Sequence, residues 1–223
     1  MSEHVKLTAS DGHELDAYVA RPEGEPIAAL VVIQEIFGVN QYIREAADGY
    51  AKDGFLVIAP ALFDRFERGV DLGYKGADSE KAMSFARRLD VDAMQKDTAA
   101  AIAWARQQSA GKTGILGYCL GGSIAWLAAA HLDVEAAVGY YGGMIAKFAD
   151  LQPKCPIILH FGSRDAHISA ADRERIAVAH PEIPIYVYDA GHGFSNHLRD
   201  GYDEPSATVA RQRSLEFLKK NLA

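Results

Sequence analysis

The sequence predicts an α/β protein with a mostly parallel central sheet flanked by helices on both faces. Two observations carry that reading. Short β-branched runs alternate with helical patterns along the chain. Some of those runs, residues 27–33 above all, are apolar throughout, as strands buried on both faces must be.

The elements follow in order. Residues 4–9 and 14–20 alternate around Ser10-Asp11-Gly12-His13 and read as an N-terminal hairpin. Residues 27–33 form the first buried strand, 42–52 a helix ended by Gly54, and 55–59 a strand stopped by Pro60. Residues 62–78 are rich in glycine and charge and read as a long surface loop near the strand ends. Helical patterning covers 79–89 and 93–106, with Asp90-Val91-Asp92 as a break and a new N-cap. Strands at 113–118, 134–140, 156–161 and 185–188 then alternate with helices at 119–131 and 169–179. A helix at 205–222 closes the chain. No repeat or linker divides residues 1–223, so one domain is expected.

Composition narrows the function. The chain has 223 residues, 49% apolar, with a net charge of −7, a poor match to a polyanion such as nucleic acid. Its apolar runs are too short to span a bilayer, and residues 1–14 have no signal-peptide core, so a cytoplasmic protein is expected. The two cysteines, Cys119 and Cys155, differ in their flanks and do not form a disulfide framework. No phosphate loop, dinucleotide fingerprint, CxxC or HExxH is present, and neither metal nor cofactor is expected. A monomer or small homo-oligomer acting on a small molecule fits.

The chemistry concentrates in Gly117-Tyr118-Cys119-Leu120-Gly121-Gly122, between a strand and a helix. A sharp turn of this form pushes a nucleophile out at the top of the sheet, and the glycines are needed because a Cβ would strike neighbouring backbone. Here the nucleophile is a thiol at a helix N-terminus, where free N–H groups favour thiolate. Downstream, in the order such a triad requires, Asp165 follows the strand at 156–161 and His192 the strand at 185–188. This arrangement predicts the α/β-hydrolase fold with Cys119, Asp165 and His192 as catalytic triad. The oxyanion hole would use the N–H groups of Leu120 and Ile36, the latter in Gln34-Glu35-Ile36-Phe37-Gly38-Val39-Asn40. Glu35, at the end of a buried strand, needs a partner or a role; a salt bridge to a loop arginine is the plainer option. Of the other histidines, His160 reads as core. His4, His13, His131 and His180 read as solvated or boundary residues, and His167 and His197 as possible pocket residues.

Those segments, with Gly139-Tyr140-Tyr141-Gly142 and Gly191-His192-Gly193-Phe194, resemble the motifs of the dienelactone hydrolase (carboxymethylenebutenolidase) family, in its order and over nearly the whole chain. The resemblance implies a Cys-His-Asp triad that opens a carboxylate-bearing lactone through an acyl-enzyme. It also implies that Glu35 holds the resting thiol and accepts its proton when substrate binds. Phe37, Tyr118, Tyr140, Phe194 and Asn196 are expected to line the substrate pocket. One departure is plain: the family grips the substrate carboxylate with two arginines. Asn196 stands at one of these positions, and no arginine lies between Ala77 and Lys81 at the other. Asparagine does not reproduce a bidentate guanidinium. Arg65, Arg68, Lys81, Arg87 and Arg199 are the cations that could compensate. A carboxylesterase or thioesterase for a neutral ester is the alternative within the same chemistry. A non-catalytic small-molecule receptor is the alternative outside it.

Overall fold

The computed structural model describes residues 2–109 and 111–223. The hairpin forms as expected: β1 (Ser2–Thr8) pairs antiparallel with β2 (Glu14–Ala20). Then come β3 (Ala28–Ile33), α1 (Gln41–Lys52), β4 (Phe55–Pro60), α2 (Gly76–Ala86), α3 (Val91–Gln108), β5 (Thr113–Tyr118), α4 (Leu120–His131), β6 (Ala136–Tyr140), β7 (Ile157–Gly162), α5 (Ala170–Ala179), β8 (Ile185–Tyr188) and α6 (Glu204–Leu222).

They build one eight-stranded sheet in the order β1-β2-β4-β3-β5-β6-β7-β8. β2 meets β4 antiparallel; every pairing from β4 to β8 is parallel. This is an α/β-hydrolase-like sheet. All residues of β3, β4, β5, β6 and β7 are buried, so both faces of the central strands are covered. α1 and α6 touch through Arg211, which lies over the Tyr50 ring and pairs with Asp53. α3 and α4 touch through Gln95, whose amide donates to the Ile124 carbonyl. Parallel pairing sends the carboxyl ends of β3, β5, β7 and β8 to one edge, where the loops carrying Glu35, Cys119, Asp165 and His192 emerge.

Local capping explains several boundaries. Asn40 caps α1, accepting from Ile43 N. Asp90 caps α3 through Ala93 N at 3.0 Å, the break expected there. A full capping box, Ser169 with Asp172, starts α5.

Two expectations are corrected. Residues 62–78 are not simply a surface loop. Leu62–Arg65 is a 3-10 helix, α2 begins at Gly76, and Leu62, Phe63, Val70 and Leu72 are buried. A bridge between Gly38 and Asp71, and a bond from Leu72 N to Phe37 O at 3.0 Å, tie the segment to the loop after β3. Gly38 has φ +82°, and a Cβ there would overlap the Val70 carbonyl. The scattered apolar residues that anchor the segment have no periodicity, so pattern reading missed them. His180 is likewise buried, not solvated: its Nε2 meets the Ala149 carbonyl at 2.6 Å, against the Trp126 ring. His160 is core, bonded to Tyr188 Oη and Ser214 Oγ, and burial pushes its pKa down to about 3.

Candidate active site

Cys119 sits between β5 and α4 with φ 55° and ψ −112°, a conformation that costs a non-glycine residue ~1–3 kcal/mol. The surrounding glycines make the turn possible. A Cβ on Gly117 would overlap the Gly121 carbonyl, and one on Gly122 the Tyr140 carbonyl. On Gly121 it would overlap Ile33 O and lie 2.7 Å from Gln34 O. The turn thus packs tightly against the end of β3.

The loop after β7 delivers Asp165, and the loop after β8 delivers His192. Asp165 Oδ2 lies 2.7 Å from His192 Nδ1, and its Oδ1 accepts from His167 N at 2.7 Å. With Nδ1 taken, Nε2 is the nitrogen left for the Cys119 sulfur. Burial opposes the imidazolium, but the hydrogen bonds to Asp165 and then to Cys119 override it, and the pKa of His192 is raised to about 10. For Asp165, burial is outweighed by the His192 ring and the His167 N–H, and its carboxyl sits below its usual range.

The sign of that depression sets a pH dependence. The stability it contributes is present above the unfolded carboxylate pKa of ~3.9 and is lost as pH falls through the lower native value. Urea midpoints of the wild type should therefore drop more steeply below pH ~4 than those of Asp165→Asn. Parallel acid limbs in the two proteins would contradict the pairing.

A cleft of about 360 Å³ opens over this group. Cys119, His192, His167, Ile36, Leu120 and Phe37 line it, the last four expected from sequence as oxyanion or pocket residues. Leu120 is the first residue of α4, so its N–H lacks an intrahelical acceptor. Gln34 fixes the opposite loop: its Oε1 accepts from Leu62 N at 3.1 Å and its Nε2 donates to Glu35 O at 3.2 Å.

Several expected pocket residues lie elsewhere. Tyr118 and Tyr140 line a separate cavity of about 270 Å³ with Tyr42 and Arg211, away from the cleft. They end adjacent strands, and alternation along a strand turns them to the α1 and α6 side. Phe194 is fully buried against Tyr141 and Tyr188. Asn196 is also fully buried, and its Nδ2 donates to Glu35 Oε2 at 2.7 Å and to Tyr74 Oη at 2.8 Å.

Glu35 differs most from expectation. Its other oxygen, Oε1, faces Arg199 Nη1 at 3.4 Å, the salt bridge that the plainer reading foresaw. Its hydrogen bonds thus go to Asn196 and Arg199. Burial raises the Glu35 pKa, with Arg199 and then Asn196 pulling the other way. Of the possible compensating cations, only Arg199 lines the cleft among the described residues; Arg65 pairs with Asp97 at 2.7 Å and Lys81 with Glu67 at 2.6 Å.

Sequence reading missed Met83, Leu89 and Met144, which give the cleft its apolar wall, and Tyr74, which carries no motif. It also left Tyr141 without a role. That residue has φ 38°, packs 5.1 Å from the His192 ring and meets Ser195 Oγ at 2.7 Å. Its place inside the Gly-Tyr-Tyr-Gly segment was the available signal. Among the described residues, no cluster of three or more His, Cys, Asp or Glu side chains is arranged to hold a metal. No helix there is long and apolar enough to cross a membrane.

A parallel sheet with a strained turn at the end of β5, and an acid and a histidine on later loops of the same edge, defines an α/β-hydrolase. The dienelactone hydrolase family model matches residues 15–222, and the chain belongs to that family; it is an ester or lactone hydrolase. It is 36% identical to the carboxymethylenebutenolidase of Pseudomonas putida, covering 98% of this chain and 96% of that one. To carboxymethylenebutenolidase 1 of Cupriavidus pinatubonensis it is 30% identical, covering 98% and 97%. The crystal structure of a dienelactone hydrolase from Anabaena variabilis shares the fold, with a TM-score of 0.73, 16% identity and coverage of 100% and 99%.

Proposed function

We propose that this hydrolase works through Cys119 as nucleophile, with His192 and Asp165 completing the triad, and cleaves a small, uncharged ester or lactone. The observation that carries the chemistry is the strained Cys119 at a helix N-terminus, beside an imidazole whose far nitrogen is held by a buried carboxylate.

The steps follow from the groups in place. The Cys119 sulfur attacks the carbonyl carbon, and the N–H groups of Ile36 and Leu120 hold the resulting oxyanion. As the tetrahedral centre collapses, the imidazolium of His192 passes its proton to the leaving alkoxide, and an acyl-Cys119 forms. Neutral His192 then takes a proton from water, and the hydroxide attacks the acyl carbon. The thiolate departs, the carboxylic acid is released, and the imidazolium is restored. Asp165 keeps Nδ1 protonated and the ring oriented throughout. With a lactone, the leaving alkoxide stays tethered to the acyl group.

The preference for an uncharged substrate rests on the cleft wall. Ile36, Phe37, Met83, Leu89 and Met144 are apolar, and Arg199, which also lines it, is engaged by Glu35 and stands over the Phe37 and Tyr74 rings, 5.7 Å from each. Two free thiols suit the reducing cytoplasm. The test is a panel of short neutral esters, neutral lactones and carboxylate-bearing lactones, read as kcat/KM with intact-mass detection of the acyl-enzyme. Neutral substrates should lead by at least ~10-fold, the worth of one unmet ionic contact. A lead for the carboxylate-bearing lactones would overturn the substrate assignment. Turnover with no adduct on Cys119, even under rapid quench, would overturn the nucleophile.

A further inference from the structure

The second cavity, the one of about 270 Å³ that Tyr118 and Tyr140 line, has no residue in common with the cleft. The chain runs directly from one to the other. Tyr118 lines the cavity and Cys119 the cleft; Ser195 and His197 line the cavity, His192 and Arg199 the cleft. Tyr42, Glu45 and Ala46 are spaced to share a face of α1, and Ala207, Thr208 and Arg211 a face of α6. Alanine on both helices leaves a space that larger side chains would close. The cation here is Arg211. Its side chain is one-third exposed, its Nη2 pairs with Asp53, and its guanidinium carbon stands 3.7 Å from the centre of the Tyr50 ring. Asp53 is its one hydrogen-bond acceptor among the described residues, so most of its N–H donors remain for a ligand. Glu45, the carboxylate on the wall, has its own partner in His197 at 3.0 Å. Tyr50 contributes a further donor: its hydroxyl is buried, lies next to Tyr118 and Tyr140, and has no hydrogen-bond partner among the described residues.

We propose that this cavity is a second small-molecule site and that it takes a single-ring aromatic carboxylate. A guanidinium fork matches a carboxylate in its plane, and Arg211 is the cation lining the cavity. The ring has aromatic company: Tyr42 and Tyr118 meet edge-on with centres 5.2 Å apart, and Tyr118 lies 4.8 Å from Tyr140. Size agrees as well. A cavity of about 150 Å³ already holds benzene, so the space here takes the ring and its carboxylate together. A dianion such as phosphate would set two charges against one cation, with Asp53 and Glu45 close by. The inference goes beyond the hydrolytic reading and does not depend on which atom in the cleft attacks.

The experiment is a titration of the full-length protein with benzoate, followed by backbone amide NMR shifts. Binding should saturate with a Kd of ~1 mM or lower, as expected for so small a ligand. The shifts should centre on Tyr42 to Ala46, on Ser195 to His197 and on Ala207 to Arg211. Benzamide keeps the ring and loses the charge; acetate keeps the charge and loses the ring. Each should bind at least ~10-fold more weakly. Arg211→Met, which removes the guanidinium, should weaken benzoate by the same factor or more. Ala207→Leu leaves the cation in place and fills the space, and should abolish binding; Ala46→Leu fills it from α1 should the first variant not fold. No saturable binding at ~10 mM benzoate would overturn the proposal. So would shifts centred on Phe37, Met83 and Met144, which would put the acid in the cleft. Benzamide binding as tightly as benzoate would overturn the carboxylate assignment, and wild-type affinity in a folded cavity-filling variant would overturn the site. None of these readouts uses hydrolysis, so the site and the proposed activity stand or fall separately.

Discussion

Cys119→Ala is expected to lower hydrolytic turnover by at least ~10⁴-fold, the scale on which nucleophile loss acts in a triad. The reason is bond-making: among the described residues, no other side chain lining the cleft combines a nucleophilic atom, a helix N-terminus and the neighbouring His192 imidazole. The protein should still fold. Cys119 is only half buried, and alanine keeps a Cβ at the same strained φ, so stability should change by no more than ~1 kcal/mol. A second readout separates this from collapse of the site. The sulfur is one of the groups that hold the His192 pKa up, so its loss should lower that pKa in an NMR titration while the Asp165 pairing persists. Cys119→Ser should also be poor, because a serine hydroxyl is far less acidic than a thiol and Glu35 is engaged elsewhere. Turnover of Cys119→Ala within ~10-fold of the wild type would remove the sulfur from the mechanism.

Gly121→Ala is expected to cost at least ~4 kcal/mol, most of the stability of a protein at the low end of the usual 5–15 kcal/mol margin. Its Cβ would be driven into the carbonyls of Ile33 and Gln34, backbone atoms that cannot rotate away as a side chain can. Relief would require β3 and α4 to part where the cleft is built, so any folded fraction should also be inactive. Gly117→Ala meets the same obstacle at the Gly121 carbonyl. Gly49→Ala is the control: it lies within α1, its nearest neighbour would be Arg211 at 3.8 Å, and helix propensity predicts a gain of up to ~1 kcal/mol. Urea midpoints of the three variants decide the matter. A Gly121→Ala protein as stable as the wild type would mean that the turn is far looser than the packing of its backbone requires.

These two expectations bear on how much the sequence made legible. The strand and helix pattern, the order of Cys119, Asp165 and His192, and the glycines of the turn could all be read from the chain. Each depends on local chemistry: periodicity, turn residues, and a thiol framed by glycine. Parallel pairing then carries the three loops to one edge without further instruction. The pocket was less legible. Tyr118 and Tyr140 belong to the right motifs, yet point away from the cleft, because which face a strand-end residue serves depends on register and crossover. Met83, Leu89 and Met144 have no spacing that links them, and come together only when α2 and the loop after β6 pack over the thiol.

Asn196 shows the division best. That it is an asparagine, where the resemblance implies a bidentate cation, is visible in the sequence. That the amide lies buried beneath Glu35, joined to Tyr74 from another segment 122 residues away, is visible only in three dimensions. The sequence by itself determined the sheet and the order in which Cys119, Asp165 and His192 leave its strands, since those follow from covalent neighbours and periodicity. The tertiary structure alone decided where the Glu35 carboxylate points and which side chains wall the cleft. Both are settled by contacts between residues far apart in the chain, each with donors or apolar surface that only the folded arrangement can satisfy.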